Sequence, residues 1–216
     1  MSETKKMVDQ NCRSFVESLA SKAPVPGGGG AAAMAGALGS ALGMMYLNLS
    51  VGKQKYQEYE ADFQDKLQNL DAIKEQLLAC VDEDAEAFYP LAKAYRMPKE
   101  TESEQAAYQR VLEAALYKAC SVPEKIMKLC SEAMDAIEYV ADKGSVLAKS
   151  DAAAAVIFCM AAMNAAHLNI LINTASMKNR EEAEKITEEY DHILMLNNIR
   201  GSEIADQLTD EIRGNE

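Results

Sequence analysis

Asp84 occupies a position where a carboxylate is costly. Leu77, Val81, Asp84, Phe88 and Leu91 recur at spacings of four, three, four and three, so the acid lies on the apolar stripe of a helix. A carboxyl group there belongs to a solvated acidic turn, is kept neutral by a raised pKa, or faces a cationic ligand, and the last two are conditions of acid–base catalysis. Asp82 flanks the same stripe beside Leu78 and Ala85 and has two readings, a second site acid or part of a solvated acidic turn with Glu83 and Glu86. Lys53 follows Gly52 at the end of an apolar stretch. It reads either as an ordinary cation at a helix C-terminus or as a group that holds an anion or transfers a proton. From Ser18 to Gln57 there is no acidic residue, and only Lys22, Lys53 and Lys55 carry charge.

The other polar candidates have structural readings beside their functional ones. Pro24-Val25-Pro26-Gly27-Gly28-Gly29-Gly30 reads as a shaped loop feeding a helix start, where backbone amides without side chains can approach a ligand. Ser150-Asp151 suits a helix N-terminus on energetic grounds alone, with Ser150 as cap and Asp151 in the first turn. Asn169 and Asn173 stand four apart on one face of an otherwise apolar helix, and their amides need partners from a neighbouring helix or a ligand. His167 in the same helix reads as a core histidine. Gly28-x-Gly30-x-x-Ala33 follows prolines rather than a strand, which excludes a dinucleotide fingerprint. Glu189-x-x-His192 is half of a di-iron helix motif, but Asn164 stands where the partner Glu would precede His167, so no metal site is expected.

These residues require helices to position them, and the pattern supplies helices throughout. Apolar spacing predicts a first helix over about 5–19, a small-residue helix over 31–50 and a long helix over 56–95 kinked at Pro90. It continues with a helix over 104–140 interrupted at Ser121-Val122-Pro123, an Ala-rich helix over 151–175 capped by Ser150, and an amphipathic helix over 181–209. In the small-residue helix, Ala32, Gly36 and Ser40, and likewise Ala35, Gly39 and Gly43, recur at close to four-residue spacing. This points to close helix contact within the subunit or across a dimer. The expected architecture is all-α: one domain over 1–216, a bundle of about five to seven helices, some long and kinked, with a buried Ala/Gly-rich pair.

A net charge of −12 excludes a nucleic-acid backbone as the main partner. Segments 31–51 and 152–172 are uncharged and long enough to span a bilayer, but they are rich in Ala and Gly, and the second carries Asn164, His167 and Asn169. No membrane partner is expected. The five cysteines lack C-x-x-C spacing and no signal peptide precedes them, which suits the cytoplasm.

Taken together and in order, Pro24-x-Pro26-Gly27-Gly28-Gly29, Gly52-Lys53, Val81-Asp82-x-Asp84-Ala85-Glu86-Ala87-Phe88, Arg96-Met97-Pro98-Lys99, Ser121-Val122-Pro123, Ser150-Asp151 and Asn169-x-Leu171-Ile172-Asn173 form a signature over nearly the whole chain. It resembles the cyclodeaminase domain of formiminotransferase-cyclodeaminase and its stand-alone bacterial relatives, some of them methenyltetrahydrofolate cyclohydrolases. The chain departs from that pattern at Ser145, where the family often has Asn, and at His167. The resemblance implies an all-helical homodimer, a reduced folate substrate and no metal or redox cofactor. It implies hydrolysis of 5,10-methenyltetrahydrofolate to 10-formyltetrahydrofolate, with formiminotetrahydrofolate cyclodeamination as the alternative and a non-catalytic folate-binding dimer as a third reading. Under it, Asp84, Asp82 and Lys53 are the catalytic candidates. Pro26, Gly27, Gly28, Gly29, Gly30, Ser150, Asp151, Asn169 and Asn173 are the substrate-binding ones.

Overall fold

The computed structural model describes residues 6–214 and, among them, contains six α-helices and no strand. They are α1 (Cys12–Leu19), α2 (Gly28–Asn48), α3 (Glu60–Tyr95), α4 (Glu102–Val140), α5 (Lys149–Ser176) and α6 (Arg180–Arg213), with 3₁₀ turns at Gln54–Tyr59 and Val146–Ala148. The all-helical expectation holds, and several boundaries move for identifiable reasons.

The first helix starts at Cys12 rather than near Lys5, which lies outside the described residues, because the Asn11 side chain accepts from the Ser14 N–H and fixes the cap. The second begins at Gly28, three residues before the expected start, so Gly28, Gly29 and Gly30 form its first turn. The fifth is entered through the 3₁₀ turn with Ala148 as cap, so Ser150 is not the cap but an exposed residue of the first turn. Pro90 and Pro123 sit inside α3 and α4, both unbroken. Each proline removes one helical N–H, and packing along these long helices outweighs that loss.

Helix α2 is the centre of the bundle, packed against α3 and α5, and α5 is flanked on its far side by α6. Its small residues are notches for neighbours within the same subunit. A Cβ on Gly36 would stand 2.7 Å from Cys130 Sγ, and one on Gly39 would stand 2.7 Å from Cys159 Sγ and 2.9 Å from the Ala155 carbonyl. At its C-terminal end, the Tyr46 hydroxyl accepts the Gly144 N–H at 2.9 Å while Ser50 Oγ accepts the Ser145 N–H at 2.8 Å, which fixes the turn between α4 and α5. Burial pushes the Tyr46 phenol up to about 12, so it stays neutral as a structural link.

Both α2 and the segment Val146–Ser176 are long and apolar enough to cross a membrane, and here they pack into the bundle core. Among the described residues, these helices keep several large apolar side chains exposed. Leu38 and Met45 on α2, Ile157, Leu168 and Ile172 on α5, and Ile199 on α6 are 48% to 69% exposed.

Candidate active site

Where the N-terminus of α2 meets the C-terminal parts of α3 and α5, a cleft of about 280 Å³ opens. One wall is made by Pro24, Val25 and Gly27 of the preceding loop with Gly28 and Gly29 of the first turn of α2. A second is the α3 face of Asp84, Ala87, Phe88, Leu91 and Tyr95, and the rest comes from Ala119 and Pro123 on α4 and Asn169, Ile172 and Asn173 on α5. A small second core cluster that includes Leu91, Leu116, Cys120 and Met177 backs the cleft and holds these helix ends together.

Among the described residues, Asp84 is the only charged one in this lining. It is half-buried, and its Oδ2 accepts the Gly30 N–H at 3.0 Å. Burial raises its pKa above the usual carboxylate range, and the Gly30 hydrogen bond offsets part of that rise. The approach of backbone to carboxylate is what Gly29 permits, since a Cβ there would fall 2.1 Å from Asp84 Oδ1. The α2 N-terminus adds its partial positive charge to the same oxygens. A carboxylate fixed at one oxygen, with the other toward an apolar cleft, can accept a proton from water or balance a cation.

Of the binding candidates, Gly27, Gly28, Gly29, Asn169 and Asn173 line the cleft. Gly30 supplies the N–H to Asp84, and buried Pro26 packs beneath it. Asn169 donates to the Ala165 carbonyl at 2.8 Å and lies beside Gly28. Asn173 stands next to Cys120, whose thiol burial pushes up to about 12, out of reach of thiolate chemistry.

The other four candidates are elsewhere. Asp82 faces the segment before α1, where its Oδ1 accepts the Met7 N–H at 2.7 Å, so it anchors the N-terminal region and does not meet the cleft. Lys53 follows α2 at the opposite end of the bundle. The 21 residues of that helix span roughly 30 Å at about 1.5 Å per residue. Ser150 and Asp151 begin α5, whose other end carries Asn169 and Asn173, so they sit near the Lys53 end too. Within one subunit, then, Lys53 and Asp84 do not share a pocket. His167 bonds Asp191 on α6 at 2.7 Å through Nε2, the structural role expected of it.

The apolar wall is a part of the site that no polar residue in the sequence marks. Phe88, Leu91 and Tyr95 follow Asp84 at four, seven and eleven residues, so the spacing that singled out the acid also carried its neighbours. Ala119 carried no signal of its own.

Residues 11–192 match the profile of a family described as formiminotransferase-cyclodeaminase. The chain is 39% identical over 186 residues to a methenyltetrahydrofolate cyclohydrolase of Methylorubrum extorquens, covering 86% of this chain and 89% of that protein. It is 29% identical over 179 residues to a formimidoyltransferase-cyclodeaminase of Mus musculus, covering 83% of this chain but 33% of the mouse protein. A crystal structure of formiminotetrahydrofolate cyclodeaminase from Thermotoga maritima superposes with a TM-score of 0.78 at 24% identity, covering 93% of this chain and 98% of that one; the two share a fold.

Proposed function

Because this chain belongs to the formiminotransferase-cyclodeaminase family, we propose that it is the enzyme that hydrolyses 5,10-methenyltetrahydrofolate to 10-formyltetrahydrofolate. The observation that carries the reading is the cleft carboxylate, Asp84, set in an apolar wall and fixed by the Gly30 N–H. The bridge carbon of the substrate is already cationic, so it needs no metal or redox cofactor to become electrophilic. It needs a base and a counter-charge. Water adds to this carbon while Asp84 accepts the water proton. The bond to N5 then breaks as N5 takes a proton, the formyl group stays on N10, and one proton passes to solvent overall. The first turn of α2 and the Asn169 and Asn173 amides hold the folate.

The chain works as a homodimer, a reading supported by its exposed apolar side chains. The six named above leave roughly 600–700 Å² of apolar surface, near the about 800 Å² per partner of a standard interface and at the limit for an ordinary monomer. Helices packed antiparallel across them bring Lys53, Ser150 and Asp151 of one copy toward the cleft of the other. Those residues then enter the site from the second copy. Four buried thiols packed in the core suit a reducing cytoplasm, where we locate the enzyme.

The test is turnover on two substrates. Loss of methenyl absorbance with formation of 10-formyltetrahydrofolate is expected. Ammonia release from 5-formiminotetrahydrofolate, without that hydrolysis, would reassign the enzyme to cyclodeamination. Folate binding without either reaction would make it a binding protein.

A further inference from the structure

Ser121-Val122-Pro123, like Arg96-Met97-Pro98-Lys99, is a segment of the signature that the proposed chemistry does not use. Pro123 lies inside α4 with the helix unbroken around it. A proline has no N–H, so the carbonyl four residues earlier, that of Ala119, loses its helical donor. Ser121 cannot replace that donor, because its hydroxyl is spent on the Lys118 carbonyl at 2.8 Å. Both Ala119 and Pro123 line the cleft. The contrast with Pro90 is informative. That proline likewise frees the carbonyl of Glu86, but Glu86 is exposed and water can satisfy it. Pro123 is buried and Ala119 is half-buried in the cleft wall.

On α5, the Asn173 amide lines the same cleft with only 8% of the residue exposed, and it has one acceptor and two donors. A freed carbonyl and a buried amide that line one cleft suit the edge of a flat heterocycle that presents adjacent N–H donors and a carbonyl. On the folate reading, that is the aminopyrimidinone edge of the pterin. We propose that the Ala119 carbonyl oxygen, freed by Pro123, is a specificity-determining acceptor for the amino or ring N–H of the substrate's pterin, with Asn173 as the neighbouring contact.

The experiment compares two replacements at position 123 that differ in one atom group. Pro123→Ala restores the N–H, which closes the helical bond to Ala119 and withdraws the acceptor. Pro123→lactic acid, introduced as a backbone ester, has the same methyl side chain but no N–H. For 5,10-methenyltetrahydrofolate, the alanine variant should raise KM about tenfold with kcat within twofold of wild type, and the ester variant should keep the wild-type KM. Circular dichroism and Tm check that both variants are folded. An equal rise in KM for both would trace the effect to loss of the proline ring and overturn the acceptor role. An unchanged KM in an active alanine variant would overturn it as well, while leaving the hydrolase reading intact. Wild-type protein with no folate turnover in the same series would remove that reading and this one together.

Discussion

At the scale of single residues, Asp84 combines a cost and a use. Its folded pKa is raised by burial, so the favourable contribution of the protonated form is present at low pH and lost as pH rises through the raised value. At neutral pH the buried charge therefore works against folding. Asp84→Asn keeps the shape and can still accept the Gly30 N–H, so it should hold or raise Tm at neutral pH while lowering kcat about a hundredfold or more. The acid limb of the pH–rate profile, which in the wild type falls at higher pH than for an ordinary carboxylate, should disappear in the variant. A lower Tm with turnover per folded molecule unchanged would make the acid structural. This residue was legible from its place on an apolar stripe. Asp82 was not, because its partner is a backbone N–H of Met7, 75 positions away in sequence, and no local spacing reports such a contact.

At the scale of elements, the two ends of α2 and its middle answer to different constraints. In the middle, a side chain on Gly39 meets the Ala155 backbone as well as the Cys159 thiol, and the backbone cannot step aside. Gly39→Leu should cost about 2–3 kcal/mol and lower Tm by about 5–10 °C in thermal unfolding, or prevent folding. At the N-terminus, a Cβ on Gly28 meets only the Asn169 amide, at 3.5 Å. Gly28→Val should therefore leave Tm nearly unchanged and raise the folate Kd about tenfold or more by calorimetry; equal affinity would return this turn to a passive connector. The helices themselves were readable from apolar spacing. Their ends were not, since the glycines, which suggest a loop by composition, are drawn into the first turn of α2 where Asp84 takes up one of its free amides. Likewise Pro90 reads as a kink and Pro123 as an interruption until long-range packing is counted.

At the scale of the whole molecule, the sequence order of the signature conceals its spatial division. Gly27–Gly30, Asp84 and Asn173 gather at one end of the bundle and Lys53, Ser150 and Asp151 at the other, a partition that follows from helix length and antiparallel packing rather than from any local pattern. If a second copy reunites them, Asp84→Asn and Lys53→Met should each be inactive alone, yet recover about a quarter of wild-type turnover when co-expressed in equal amounts. Half of the dimers are then mixed, and each of these holds one complete site of two. Activity no greater than that of the single variants, or a fully active Lys53→Met, would separate Lys53 from the chemistry. The glycine notches of α2 carry a consequence for how such chains can diverge. One inserted residue would rotate everything beyond it by about 100° and advance it by about 1.5 Å, so Gly36, Gly39 and Gly43 could no longer all face Cys130, Cys159 and Ile137. Substitutions can accumulate on its outer side, but its length is in effect frozen. Insertions and deletions among descendants of this sequence should collect instead in the connections at 96–101 and 177–179, where no interlocked helix has to stay in phase.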